Sequence, residues 1–211
     1  GTISGLSWTT GDIVGVAVLL EEGCKAQADI QAIATNQRRL KNQFIPQSLM
    51  THCGFSESFQ YQYLRVLRIA IHPQYQGYGF GECFIKHLKI FAKGQQVDFI
   101  GASFGANAQL LKFWQNAGFQ VARIGFTKDQ ASGEHSALVI SAVSDRAQFF
   151  ERKVNHEFYN SFDYLLTDEY QYLSAQLVWQ ILHHCPESSL PKLTAHQTIS
   201  ISDFTQRKRQ Y

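Results

Sequence analysis

The chain has 211 residues, of which 45% are hydrophobic and 17% are charged, and its formal net charge is +2. This length and composition predict one globular domain with a hydrophobic core and room for an appendage. So small a positive charge does not by itself indicate a nucleic-acid-binding protein.

The four cysteines include no Cys-x-x-Cys pair, which argues against a zinc site, and we expect no bound metal. Their scatter favours reduced thiols and a cytoplasmic location. The longest apolar run, residues 13–20, is too short to cross a bilayer, and no signal-peptide pattern is recognised. We therefore expect no membrane partner.

The N-terminal part of the chain predicts a β-hairpin followed by helical segments. Residues 7–23 have the pattern of two strands joined by a turn, and the second strand is apolar on both faces, which indicates an interior strand. Residues 26–43 predict a helix and a loop. Residues 46–54 predict a short helix, because a proline lies near its start and Gly54 lies at its end.

The most informative stretch, residues 65–82, predicts a strand, a glycine-rich turn and the start of a helix. Residues 64–71 are largely β-branched and apolar, and Pro73 ends the strand. Glycines then occupy alternate positions from residue 77 to residue 81. Residues 82–93 have helical spacing of apolar side chains.

Such a turn is suited to binding a pyrophosphate. A helix N-terminus presents unpaired N–H groups, glycines let the backbone approach an anion, and Gln76 adds a neutral donor. The chain has no Gly-x-x-x-x-Gly-Lys-Ser/Thr motif, which argues against a Walker-type ATP site. The glycine spacing also differs from that of the dinucleotide-binding fingerprint.

The following residues complete an α+β pattern with one mixed sheet. Residues 97–104 predict a strand, and residues 107–117 predict a helix with Asn107 as its N-cap. Residues 119–126 and 133–143 predict a strand pair. The order of strands and helices favours a central mixed sheet flanked by helices.

The C-terminal tail, residues 146–211, predicts an amphipathic helix over residues 168–184. A basic triplet, residues 207–209, lies at its end. The triplet is typical of a solvated terminus, and the alternative is a contact with RNA phosphates.

Two motifs carry a resemblance to a known superfamily. Gln76-x-x-Gly79-x-Gly81 after a strand resembles the coenzyme A loop of the GNAT acetyltransferases, whose pattern is Gln/Arg-x-x-Gly-x-Gly/Ala. Residues 113–119 resemble the Phe-Tyr-x-x-x-Gly-Phe segment that GNAT proteins carry downstream of the loop, at a helix-to-strand join.

Further segments resemble the acetyltransferase part of the tRNA(Met) cytidine acetyltransferases. They comprise residues 46–49, 68–73, 102–105, 113–115 and 132–133. The resemblance covers residues 7–145 well and the tail more loosely. In that family the acetyltransferase part follows an ATP-dependent helicase-like module, which this chain lacks, so we expect a C-terminal fragment of such an enzyme, and the alternative is a free-standing relative.

The resemblance implies a GNAT fold over residues 1–145 and a helical C-terminal tail over residues 146–211, with tRNA binding as the tail's candidate role. It implies acetyl transfer from acetyl-CoA to the N4 amine of the wobble cytidine of elongator tRNA(Met). The implied cofactor is acetyl-CoA, with ATP used only by the absent N-terminal module, and the implied partners are tRNA and that module.

The resemblance also implies which residues contact the coenzyme. Backbone N–H groups of the strand before the loop face the thioester oxygen, and the loop binds the diphosphate. The implied contacts are Ile69, Ala70, Ile71, Gln76, Gly77, Tyr78, Gly79, Phe80, Gly81, Glu82, Gln109 and Asn116.

Three side chains are candidates for chemistry at the acceptor. His72 is the first candidate for the base, with an ordinary pKa near ~6.5, and its alternative role is a strand-end histidine bonded to backbone. Glu82 is the second candidate, although a glutamate in a first helical turn also complements the helix dipole. Trp114 stands where many GNAT enzymes carry an acidic tyrosine; it is either a stacking surface for cytosine or a core aromatic.

Arg38, Arg39 and Lys41 are candidate RNA contacts, and the alternative is a solvated surface. Two other functions stay open on the sequence. One is a GNAT enzyme that acetylates a protein or a small amine, and the other is a non-catalytic domain that binds coenzyme or RNA.

Overall fold

The computed structural model describes residues 13–23, 40–130 and 133–186, the backbone of residues 2–7, and five positions between residues 198 and 206. The predictions for Arg38, Arg39, most of the helix and loop over residues 26–43, and the basic triplet lie outside the described residues.

The described strands form one six-stranded sheet in the order β1-β2-β3-β4-β6-β5. Strands β3 and β4 are parallel, and every other neighbouring pair in the described sheet is antiparallel. The mixed sheet of an α+β fold is therefore confirmed. The strands are β1 (Thr2–Ser7), β2 (Ile13–Gly23), β3 (Gln62–Ile71), β4 (Phe99–Gly105), β5 (Gln120–Lys128) and β6 (His135–Ala142).

Five α-helices of the described chain pack around this sheet. They are α1 (Phe44–Cys53), α2 (Phe80–Gly94), α3 (Ala108–Asn116), α4 (Asp145–Leu165) and α5 (Ala175–His183). Short 3₁₀ turns cover Ser56–Gln60 and Pro73–Tyr75.

The N-terminal hairpin agrees with the sequence in its second strand but not in its first. Strand β2 pairs with β1 on one side and β3 on the other, which confirms the interior position. The first strand ends at Ser7, where the sequence prediction has it begin. Residues 8–12 lie outside the described part of the chain.

Two predicted caps are confirmed. Gly54 ends α1 in a left-handed conformation (φ 76°), and its N–H donates to the Leu49 carbonyl. Asn107 begins α3, and its side chain accepts the N–H of Leu110 at 2.9 Å. The predicted apolar stripe of α3 is wrong at one position, because Leu110 is 42% exposed while Leu111 is buried in its place.

The predicted tail helix is wrong at its start. Residues 166–173 form turns, and α5 begins at Ala175 with the Ser174 hydroxyl accepting the N–H of Leu177 at 3.3 Å. Helix α4, at the start of the predicted tail, is the longest helix of the described chain.

The hydrophobic core lies on both faces of the sheet. Consecutive residues Tyr63 and Leu64 belong to different core clusters, as the alternation of side chains along a strand requires. One cluster includes α2, α3 and α5, and the other includes α1. Helix α4 contributes Phe150 to the second cluster and Phe162 to the first. The tail and the sheet thus share a core, and the domain boundary at residue 145 stays a prediction.

Candidate active site

A gap opens between the parallel strands β3 and β4 at their carboxyl ends. The pairing between them runs from Tyr63 to Val66 on β3 and ends there in the described sheet. On the other side of β3, Val66 pairs with Leu19 and Arg68 pairs with Val18, so Leu67 is one extra residue, a β-bulge. Because a bulge bends its strand, it directs the end of β3 away from β4.

Backbone groups of β3 face this gap at alternate residues. The N–H of His72 donates to Val14 on β2 at 2.7 Å, and the alternation of an antiparallel pair then directs Ala70 to β2 as well. Ile69 and Ile71 therefore present their backbone groups to the gap. The prediction that the Ala70 N–H faces the thioester is therefore wrong, because this N–H is directed to β2.

The glycine turn combines open space with uncapped helix donors. Gly77 and Gly79 have φ of 79° and 82°, and a Cβ built at either would meet nothing within 4 Å. Gly79 is the N-cap of α2, and no side chain caps that helix. The uncapped first turn of α2 and the positive end of its dipole can therefore attract an anion.

Gly81 has a packing role in addition to the coenzyme contact that the resemblance implies. A Cβ there would lie 2.9 Å from the ring of Phe113 on α3. Its φ is not among the positive values. Gly81 therefore allows α2 and α3 to pack closely, which positions the first turn of α2.

The sequence predicts that Gln76 is a donor at the mouth of the turn, but the structure gives its side chain a different partner. Its side-chain amide donates to the carbonyl of Ile71 at 2.9 Å and so closes the turn against the end of β3. Tyr78 is 78% exposed, whereas Phe80 packs edge-on against Tyr75 with ring centroids 5.7 Å apart.

His72 lies at the end of β3, exposed to solvent. Its Nδ1 accepts the N–H of Gln74 at a long 3.4 Å, which caps the 3₁₀ turn. His72 thus has the alternative role of a strand-end histidine bonded to the backbone, and its assignment as the general base stays a prediction. Glu82 lies partly exposed in the first turn of α2.

The two predicted coenzyme contacts on α3 lie at opposite ends of that helix. Gln109 is exposed in the first turn, which follows the carboxyl end of β4 and so lies at the same edge of the sheet as the glycine turn. Asn116 is the last residue of the helix, about 10 Å further along its axis. The contacts of Gln109 and Asn116 with the coenzyme stay predictions.

Trp114 belongs to the core. It is 4% exposed, its ring stacks on Phe104 with centroids 6.0 Å apart, and Phe113 and Phe119 pack edge-on against it. The hypothesis that it stacks on cytosine is therefore wrong. Lys41, the one described member of the predicted basic group, is exposed in the turn before α1.

The arrangement can bind an extended thioester carrier through its backbone. The turn offers N–H groups to a diphosphate, the gap can take the arm between the strands, and Ile69 and Ile71 can bond to it there. In the described part of the chain, no three His, Cys, Asp or Glu side chains are grouped to hold a metal ion. None of the described helices is long and apolar enough to cross a membrane.

A splayed parallel pair followed by a glycine turn and an uncapped helix defines a GNAT acetyltransferase, a class that uses acetyl-CoA. A family model described as GNAT acetyltransferase 2 matches residues 8–98 and 92–144. The chain belongs to this family of acetyltransferases.

Among curated relatives, the tRNA(Met) cytidine acetyltransferase TmcA of Nitrosococcus halophilus is 30% identical over 86% of this chain and 24% of its own length. The protein of the same name from Pyrococcus abyssi is 32% identical over 70% of this chain and 18% of its own. The chain thus spans about a quarter of these relatives or less. Among solved structures, the ribosomal-protein-S18-alanine N-acetyltransferase from Escherichia coli overlaps 68% of this chain and 69% of its own at 14% identity, with a TM-score of 0.42.

Sequence reasoning missed two parts of the site. The bulge at Leu67 has no signal in the residue itself, because it depends on the register with β2. Arg65 is the second missed residue. The sequence did contain a signal for it, since a charged residue inside an apolar strand requires a partner.

Proposed function

We propose that this chain is the acetyltransferase part of a longer enzyme that transfers an acetyl group from acetyl-CoA to the N4 amine of the wobble cytidine of elongator tRNA(Met). The observation that carries the proposal is the open, uncapped glycine turn at the end of the bulged strand β3. The identity to proteins named tRNA(Met) cytidine acetyltransferase supports the choice of acceptor.

The coenzyme supplies an activated acetyl group, and the chain's own residues position it. The N–H groups of residues 77–81 bond to the diphosphate, and those of Ile69 and Ile71 bond along the gap and stabilise the oxyanion at the thioester carbon. The cytosine amine is unprotonated at neutral pH, so its proton leaves only after attack.

His72 accepts that proton at Nδ1 in this proposal, once the long 3.4 Å contact from the Gln74 N–H opens, and the C–S bond of the thioester breaks so that coenzyme A leaves as its thiolate. Beyond the bulge, Ile69 and Ile71 pack against the cluster that contains α2 and α3. The alternation of the strand then directs residue 72 to the opposite face, which is the face of α1. An exposed imidazole at that position can pass a proton to solvent.

The proposal assigns ATP use to an N-terminal helicase-like module of the parent protein and assigns tRNA as the partner. Its test is incubation of the full-length protein, and of this chain alone, with acetyl-CoA and elongator tRNA(Met). Nuclease digestion and mass spectrometry should then detect N4-acetylcytidine. Acetylated protein or small amine without acetylcytidine would favour the other acceptors, and no thiol release with any amine would make the domain non-catalytic.

We expect His72→Asn to reduce kcat by about 100-fold, because general-base catalysis contributes about 10² or more. Asparagine is a suitable control for the turn, since its side-chain oxygen can still accept the N–H of Gln74. A His72→Asn enzyme with the wild-type rate would leave His72 only its structural role.

A further inference from the structure

A cavity of about 670 Å³ lies between α1 and strand β3, on the face of the sheet opposite α2. Leu67, the extra residue of the bulge, forms part of its wall together with Arg65. The pairing of β3 with β4 ends at Val66, so the wall residue Leu67 directly follows the point on β3 where the gap opens. Its volume is in the range of small-molecule sites.

Arg65 holds a fixed position in this cavity. Its Nη1 lies 3.4 Å from a carboxylate oxygen of Glu22, and its guanidinium lies over the ring of Phe44, 4.2 Å from the centroid. Glu22 is buried and also accepts the N–H of Ile45 at 2.7 Å. The ion pair and the stacking contact hold the guanidinium against the start of α1.

The guanidinium keeps donors for a ligand. Its Nη1 is the one guanidinium nitrogen that contacts a carboxylate among the described residues, and Nε is buried without a partner, so the donors that can face a ligand are those of the Nη groups. The side chain is 21% exposed, so one part of it reaches the cavity. Burial raises the pKa of Glu22, against the opposing effects of the Ile45 N–H and Arg65.

The rest of the wall favours a neutral, polar ligand. Asn42, Gln47 and Thr51 contribute amide and hydroxyl groups, and no described residue that lines the cavity is acidic. An amine cation, such as a lysine side chain or a polyamine, would meet Arg65 without a compensating carboxylate. A heterocyclic base with hydrogen-bond acceptors would instead accept hydrogen bonds from the guanidinium of Arg65.

We propose that this cavity holds the acceptor cytosine and that Arg65 donates hydrogen bonds to its O2 and N3 edge, an inference that rests on the proposed function. Cytosine presents these two acceptors side by side, next to the N4 amine that reacts. Uracil presents an N–H at position 3, which would face the guanidinium donors. Arg65 is thus a specificity-determining residue, and it orients the amine toward the gap beside Leu67.

The test uses two variants of the full-length protein in the acetylcytidine assay. Arg65→Lys keeps the positive charge beside Glu22 but loses the planar fork of donors. Thr51→Trp places an indole at the rim of the cavity, where Thr51 is exposed. The matched control is Ser56→Trp, which adds the same ring at an exposed position outside the cavity.

We expect both variants to raise the KM for tRNA about tenfold, as the loss of a good paired contact to a base would. The KM for acetyl-CoA, and the rise in Tm that acetyl-CoA causes, should stay at the wild-type values. Ser56→Trp should match the wild type throughout.

A KM for tRNA within twofold of wild type in both variants, with acetylcytidine still formed, would overturn this inference alone. If the wild-type enzyme forms no acetylcytidine, the proposed function fails, and the inference fails with it.

Discussion

Gly79→Glu is expected to abolish acetyl-CoA binding and to lower turnover by at least 100-fold. Gly79 is the N-cap of α2 with φ 82°, a conformation that residues with a Cβ rarely adopt. A glutamate there would also place a carboxylate at the position proposed for the diphosphate, at the helix end that attracts anions. Both effects oppose the binding of the coenzyme diphosphate at this turn.

The measurement is the shift in thermal midpoint that acetyl-CoA causes. A ligand at 100 times its Kd stabilises a native protein by about 2.7 kcal/mol, which for a chain of this size is roughly 5–11 °C. We expect that shift in the wild type and none in Gly79→Glu.

The matched control is Gly94→Glu, at the other end of the same helix. A Cβ at Gly94 meets nothing within 4 Å, and its φ is not among the positive values. This variant adds the same charge far from the glycine turn, so it should keep the full shift. An undiminished shift in Gly79→Glu would show that the coenzyme does not bind at this turn.

The second large effect is on stability. Asp98→Asn is expected to lower the free energy of unfolding by about 3 kcal/mol, the scale of losing the hydrogen bonds of a buried charged group. Asp98 is 3% exposed and accepts the N–H of Gln62 at 2.9 Å, the hydroxyl of Ser144 at 2.7 Å and the Nε of Arg146 at 2.7 Å. One carboxylate thus joins the start of β3, the start of β4 and the start of α4.

An asparagine of the same size would lose the charge and direct an NH₂ group at donors. The expected fall in Tm is roughly 6–12 °C, measured by thermal or urea denaturation. Glu57→Gln is the control, because Glu57 pairs with Lys153 at the surface, where an ion pair contributes about 1 kcal/mol or less. Equal stability of Asp98→Asn and the wild type would contradict this account of the junction.

Asp98 also makes the free energy of unfolding depend on pH, in a direction that the structure predicts. Burial alone would raise the pKa of Asp98, but the hydrogen bonds from Arg146, Gln62 and Ser144 outweigh it and hold that pKa below its usual value. The carboxylate therefore contributes stability above about pH 4, and the contribution is lost as the pH falls through the folded-state pKa. Asp98→Asn should reduce this loss on acidification.

The sequence was sufficient for the glycine turn and the helix start, because their conformation depends on the residues within them. The packing of Gly81 and the hydrogen bond of Gln76 were not predicted, because each depends on a neighbour that only the fold supplies, Phe113 in one case and the Ile71 carbonyl in the other.

The errors elsewhere have similar physical causes. Trp114 has the same helical position whether it faces the core or a ligand, and only its packing against Phe104 distinguishes the two. The start of α5 was placed too early because acidic residues before it resembled a first turn. Ser174, a good N-cap three residues before Leu177, was the signal for the true start.

The most direct test of the central claim is a crystal structure of the protein with acetyl-CoA bound. We expect the diphosphate oxygens within about 3 Å of backbone N–H groups in residues 77–81, and the thioester in the gap beside Ile69 and Ile71. Acetyl-CoA bound at another place, with this turn vacant, would contradict the account.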